Sequence, residues 1–189
     1  MFRSLHVAAT GMVAQETSLD TIANNLANSN TVGYKRQEAQ FEDLLYQNLR
    51  PAGTGPGGGA TAGTQIGSGS RVVATSRYFS QGTIQQTGNP LDVAIEGNGF
   101  LAVNRPNGEV AYTRAGTLRL DAQGRVVTTD GLTVEPGINI PADATNISIA
   151  PDGTISATQP GQHTPTPLGQ LRLVTFPNPD GLQALGHNL

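Results

Sequence analysis

A chain of 189 residues with a formal net charge of −3 has mass enough for one medium domain or two small ones, and no electrostatic pull toward nucleic acid or an anionic membrane. It has no cysteine, which excludes disulfides, thiol catalysis and thiolate metal sites. Only 13% of residues are charged, against roughly 25% in ordinary soluble domains, and Lys35 is the sole lysine. A surface this poor in Lys and Glu is the kind that meets other proteins, although a Gly- and Thr-rich β protein would share the composition.

Residues 1–33 open on a helical pattern. Leu5, Met12, Leu19 and Leu26 stand seven apart, with Ala8, Gln15 and Ile22 three positions further on. This is the narrow a/d seam of a coiled coil, interrupted by one polar residue. Ser4 offers an N-cap, and Asn28-Ser29-Asn30-Thr31-Val32-Gly33 a stop. Gly11 costs about 1 kcal/mol relative to Ala in a helix interior, and Asn24 and Asn25 add several tenths each. Burial of the seam returns about 1.5–3 kcal/mol for each large apolar residue, as an upper estimate. The helix is therefore expected to become stable when a partner helix covers it. A helix lying on its own β domain is the alternative.

Residues 34–75 read as a connecting segment. Phe41, Leu44, Leu45 and Leu49 have helical spacing, which predicts one or two helical turns within 36–50. The Pro- and Gly-rich run from Pro51 through Gly59 predicts an extended connector. It lacks the Gly-Lys-Ser/Thr ending of a phosphate-binding loop.

From about residue 70 the period becomes two. Strands are predicted at 72–74, 92–95, 100–103, 110–113, 118–120, 126–129, 147–149, 154–156 and 171–176. Turn sequences such as Pro106-Asn107-Gly108, Asp130-Gly131 and Pro151-Asp152-Gly153 separate many of them. Residues 76–189 are thus expected to form an antiparallel β sandwich or barrel-like domain. The fold class is mainly β with an N-terminal α-helix. His6, His163 and His187 fall in three unrelated settings, and the aspartates Asp121, Asp130, Asp152 and Asp180 sit in turns where they bond nearby backbone. No pattern of catalytic, metal-binding or cofactor-binding residues emerges, and neither a nucleic-acid surface nor a small-molecule site is indicated.

Three blocks carry a resemblance. Ala23-Asn24-Asn25-Leu26-Ala27-Asn28 with Asn30-Thr31-Val32-Gly33-Tyr34-Lys35-Arg36 resembles the N-terminal signature of the bacterial flagellar rod and hook proteins. Gln81 through Ile95, and Tyr112-Thr113-Arg114-Ala115-Gly116 through Gly131, resemble that family's β-domain entrance and first hairpins. The segment about 47–69, with Arg50, Pro51, Gly57, Gln65 and Gly67, resembles an insertion that separates the family's distal-rod members from its hook members. The resemblance implies a self-assembling, non-enzymatic subunit without cofactors. It implies contact with copies of itself, neighbouring rod and hook subunits, the surrounding ring or bushing proteins, the export apparatus and the rod cap. It places the chain in the basal body, in a rod across the periplasm, exported without a cleaved signal. It further implies that the seam residues Leu5, Ala8, Met12, Leu19, Ile22 and Leu26 pair with a C-terminal helix, which a chain ending at Leu189 does not carry and would lack as a truncated form. A proximal-rod or hook subunit, or a secreted β-sandwich binding module, are the competing readings.

Overall fold

The structure, a computed structural model, describes residues 2–50, 63–162 and 164–189, with the backbone only for Arg50. It divides into two compact units, one of Met1–Ser29 with Lys35–Tyr78 and one of Asn30–Tyr34 with Phe79–Leu189.

The first unit is a helix on a β ribbon. Helix α1 spans Phe2–Ala27. It begins ahead of Ser4, which lies inside the first turn and is not the N-cap that the sequence offers. It ends where Asn24 and Asn25 weaken it: the Asn28 and Ser29 amides bond back to the Asn24 and Leu26 carbonyls at 3.1 and 3.2 Å. Among the described residues no helix is long and apolar enough to cross a membrane.

Strand β1 (Gln37–Asp43) pairs antiparallel with β4 (Ser70–Arg77), with a bulge at Gln40/Phe41 where Val73 is the extra residue. Beyond it, β2 (Gln47–Arg50) pairs with β3 (Thr64–Ile66). The helical turns predicted for 36–50 are therefore strands. Tertiary pairing overrides the local period, because β4 brings Val72, Val73 and Thr75, side chains suited to a pleated surface, alongside the segment. A helix of that length would be marginal in water by itself. The Gly-rich run at 51–62 lies outside the described residues.

The second unit is all β apart from a short 3-10 turn at Pro179–Gly181. One sheet runs β13-β5-β9-β8-β7, with β6 also on β5. Its strands are β5 (Phe100–Asn104), β6 (Val110–Thr113), β7 (Leu118–Leu120), β8 (Val126–Thr128), β9 (Thr133–Val134) and β13 (Leu173–Val174). A three-stranded antiparallel sheet joins β10 (Asn146–Ile149), β11 (Thr154–Thr158) and β12 (Thr166–Gln170). Leu101, Val103, Leu118, Val126, Val134, Ile138 and Ile140 share one buried cluster with Ile155 and Ala157 of the smaller sheet. The result is a two-sheet core, and among the described residues no barrel closes.

Residues 92–95, predicted as a strand, make only a single bridge from Asp92 to Thr117. The predicted strand at 171–176 shortens to two residues. Phe100–Val103 of β5 are all buried, and the strand has partners along both edges, β6 on one and β9 and β13 on the other. Gly153 adopts φ 82° in the Pro151-Asp152-Gly153 turn, a conformation that costs other residues energy. Ile155, with no exposed surface, is a sensitive probe of this core. Ile155→Ala is expected to destabilise the second unit by about 2–5 kcal/mol, measured as a lower midpoint in urea with an unchanged slope.

Candidate assembly surface

Helix α1 is two-faced. Val7, Thr10, Ala14, Thr17, Ser18, Thr21, Asn25 and Asn28 form the less exposed side, and the helix lies against β1 and β4. This side is small and polar, yet its hydroxyls are met within the helix. Thr10, Thr17 and Thr21 donate to the carbonyls of Val7, Val13 and Thr17 at 2.8, 3.0 and 2.8 Å. Nothing larger fits where Thr10 meets the ribbon, because a Cβ on Gly69, which has φ 115°, would collide with the Thr10 hydroxyl. At the N-terminal end, Arg3 donates to Gln47 Oε1 (2.5 Å) and to the Ile66 carbonyl (3.1 Å).

The opposite face carries the seven-residue stripe. Leu5, Met12, Leu19, Ile22 and Leu26 are 65, 67, 65, 58 and 73% exposed, and Ala8 is exposed beside them. A shallow open groove along this face is lined by Ala8, Gly11, Met12, Gln15, Glu16, Leu19 and Asp20. Scattered exposed apolar residues are ordinary, but a contiguous stripe along one helix marks a contact surface.

The signature residues have structural work at the helix exit. The Asn25 side chain pairs with the backbone of Gln37 in both directions, Nδ2 to the carbonyl oxygen at 2.7 Å and the Gln37 amide to Oδ1 at 2.9 Å. It thereby takes the place of a neighbouring strand at the first residue of β1. Asn28 Nδ2 donates to the Asn24 carbonyl at 3.0 Å. In the second unit, the Tyr34 amide bonds to the Thr31 carbonyl at 3.2 Å, a turn that needs Gly33 at φ 78°. A Cβ on Gly33 would lie 2.8 Å from the Ala115 nitrogen, so the turn also sits tightly against the Arg114–Ala115 backbone. Lys35 follows that turn and starts the return into the first unit.

Of the insertion residues, Arg50 pairs through its backbone with Thr64, and Gln65 with Asn48. A Cβ on Gly67 would lie 3.5 Å from the Tyr46 ring. Pro51 and Gly57 lie outside the described residues. The β2/β3 ribbon and the bend before it expose Leu45, Tyr46, Leu49 and Ile66. Their helical spacing hides this surface from the sequence. The inward stripe on α1 is hidden behind the apolar one, although Val7, Ala14, Thr21 and Asn28 repeat every seven residues as faithfully as the apolar set.

The other two blocks hold the β unit together. Asp92 accepts from the Thr87 hydroxyl and the Asn89 amide, both at 2.8 Å. Arg114 donates to the Gly97 and Gly99 carbonyls at 2.8 and 3.0 Å, holding the Gly97-Asn98-Gly99 bend, and partial burial lowers its pKa. Phe79, Phe100, Phe176 and Tyr112 form a chain of edge-to-face contacts with centroids 5.8, 5.7 and 4.7 Å apart. Two of the turn carboxylates, Asp121 and Asp152, bond nearby backbone: hydrogen bonds from the Thr154 amide and hydroxyl hold the Asp152 pKa below the usual range. Asp121 accepts from the amides of Gln123 and Arg125 at 2.9 and 2.8 Å. His6 is exposed on α1 and His187 sits at φ 54° near the end of the sequence; His163 lies outside the described residues. Among the described residues no three His, Asp or Glu side chains gather as a metal site.

Residues 5–35 match the family model described as flagella basal body rod protein, and residues 94–157 match the flagellar hook protein FlgE/F/G D1 domain. The chain is 48% identical over 191 residues to the flagellar basal-body rod protein FlgG of Buchnera aphidicola subsp. Acyrthosiphon pisum (strain APS), covering 100% of this chain and 74% of that protein. Against FlgG of Caulobacter vibrioides the identity is 45%, with 99% and 72% covered, and against FlgG of Bacillus subtilis 41%, with 100% and 73%. The flagellar hook protein FlgE of Helicobacter pylori is 39% identical over 150 residues, 77% of this chain but 21% of that one. A helix with a signature exit leading to an antiparallel β unit, matched on both parts, defines a flagellar axial protein. Within that class the chain belongs to the flagellar basal-body rod protein FlgG family.

Proposed function

We propose that this chain is a structural subunit of the distal rod of the flagellar basal body, stacking helically with its copies into the shaft that carries motor torque to the hook. The observation that carries this reading is the apolar stripe of α1, exposed on a helix whose other side already rests on its own ribbon. In the rod, Leu5, Ala8, Met12, Leu19, Ile22 and Leu26 are covered by another helix of the axial structure. Residues 1–33 then supply the seam, residues 34–75 the connector with its rod-type insertion, and residues 76–189 the β domain. Repeated head-to-tail contacts between unlike surfaces that do not close into a ring build such a filament.

The role is structural and not catalytic. Neighbouring rod and hook subunits are the direct partners, and the bushing rings, rod cap and export apparatus are met during assembly and rotation. An ordering helix suits passage through an export channel, since most of its stabilisation arrives only when the seam is covered. The test is complementation of a strain lacking its rod gene, with basal bodies examined by electron microscopy. Removal of residues 2–27 is expected to abolish rods, and normal rods from that deletion would end the proposal. Deletion of residues 51–62 is expected to leave the melting of the β unit within about 2 °C, an effect within the ordinary surface range of about 0.5 kcal/mol, while changing rod length or bending. Rods with unaltered mechanics would remove this segment from the proposed mechanism.

A further inference from the structure

The apolar stripe can meet its covering helix only if α1 is held at one rotational setting on its ribbon. At about 100° per residue, the inward side (Arg3, Val7, Thr10, Ala14, Thr21, Asn25) and the stripe stand roughly 140° apart around the helix axis. The inward side contributes little that would hold that setting by itself. Ala14 is its one buried residue, and the threonine hydroxyls are turned back onto the helix's own carbonyls. A smooth, small face gives a helix freedom to roll or slide.

Three contacts oppose that. Arg3, with a long side chain, reaches Gln47 and Ile66 at an exposed end. Gly69 offers Thr10 a close fit without a bond. Asn25 differs from both: it makes a two-way amide pair with Gln37 at 2.7 and 2.9 Å. A short side chain with only two torsions, bonded through both its donor and its acceptor, fixes distance and direction together. It also acts on β1 itself, because Gln37, which stands opposite Arg77 in the ribbon, has its backbone N–H and C=O bonded by Asn25.

We infer that Asn25 is a positioning residue for rod assembly: its pair with Gln37 sets the rotation of α1, so that Leu5, Met12, Leu19 and Leu26 face away from the ribbon toward the helix that covers them in the rod. This rests on the stripe being the assembly surface. Asn25→Asp removes the donor to the Gln37 carbonyl and turns a carboxylate oxygen toward it. Gln37→Pro removes the amide donor from the other side of the same pair, at a strand's first residue where proline is tolerated.

The chain has no cysteine, so single cysteines report the rotation directly. In the full chain, Met12→Cys, at a 67% exposed position, is expected to react with a maleimide at least tenfold faster than Ala14→Cys, at an 8% exposed one. Adding Asn25→Asp or Gln37→Pro is expected to lower that ratio at least threefold, with the melting of the β unit unchanged. A ratio unmoved by Asn25→Asp overturns the inference, as does a ratio lowered by Asn25→Asp but not by Gln37→Pro. In cells, Asn25→Asp is expected to cut incorporation into basal bodies at least tenfold. Leu19→Asp separates the two ideas. If Leu19→Asp subunits are incorporated normally, the stripe reading fails; if they are excluded while Asn25→Asp subunits enter at the parent level, the positioning role alone fails.

Discussion

Leu19→Asp should leave the isolated chain as stable as its parent and yet remove it from rods. In the free subunit Leu19 is 65% exposed in the middle of the helix, so exchanging it for a solvated carboxylate costs only the small difference in helix propensity, some tenths of a kcal/mol. In the proposed rod contact the same position is covered. The substitution then loses about 1.5–3 kcal/mol of apolar burial and buries a charge without a counter-ion, a penalty of several kcal/mol. Acidic Glu16 and Asp20 line the same groove and make matters worse, because like charges on neighbouring turns repel. A total above about 4 kcal/mol corresponds to roughly a thousandfold loss at each contact, and a helical filament repeats that contact in every subunit. The measurement is paired: urea unfolding of the purified chain, and the content of the variant in isolated basal bodies. Normal content would show that the stripe is not buried in the rod.

The stripe and the ribbon illustrate what a linear pattern can carry. A seven-residue apolar spacing gives the position of Leu5, Met12, Leu19 and Leu26 on the helix surface whatever lies opposite, because the period of the helix is intrinsic to the backbone. β5 and β11 were legible for a related reason: Phe100-Leu101-Ala102-Val103 and Ile155-Ser156-Ala157 are apolar in a run or in alternation, and a core demands one or the other. β1 was not legible. Gln37-Glu38-Ala39-Gln40 has almost nothing to bury, and it is a strand because β4 arrives from more than thirty positions away. β12 was hidden by Pro167 and Gly169, which local propensity counts against a strand; it survives at the edge of its sheet, where a missing amide donor costs least. The Asn25–Gln37 pair is further still from any period. A side-chain amide bonding a backbone twelve residues on leaves no trace except two adjacent asparagines near a helix end, and those read first as a weak helix.

Gly116→Ala should be among the most damaging single changes in the β unit, although it adds only a methyl group. Gly116 is buried, and its φ is not in the left-handed region, so backbone freedom is not the reason for a glycine there. The reason is proximity. The Val93 amide donates to the Gly116 carbonyl at 2.9 Å, the neighbouring Asp92–Thr117 bridge continues the pairing, and a Cβ on Gly116 would overlap the Val93 carbonyl oxygen. The obstructing atom is backbone and cannot swing aside as a side chain would. Relief requires the segment before β5 to move away from the one before β7, breaking the Val93 bond and lifting Leu91 and Ile95 from the core they help to fill. Losing one hydrogen bond and loosening two large apolar side chains amounts to about 3–5 kcal/mol. For a unit of this size that is a fall of more than about 10 °C in melting temperature. Gly82→Ala, at an exposed position with open space where the methyl would go, is the control and should shift it by less than about 2 °C. Equal melting of the two variants would mean that the crossing of Val93 over Gly116 is not what holds the entrance of the β unit closed.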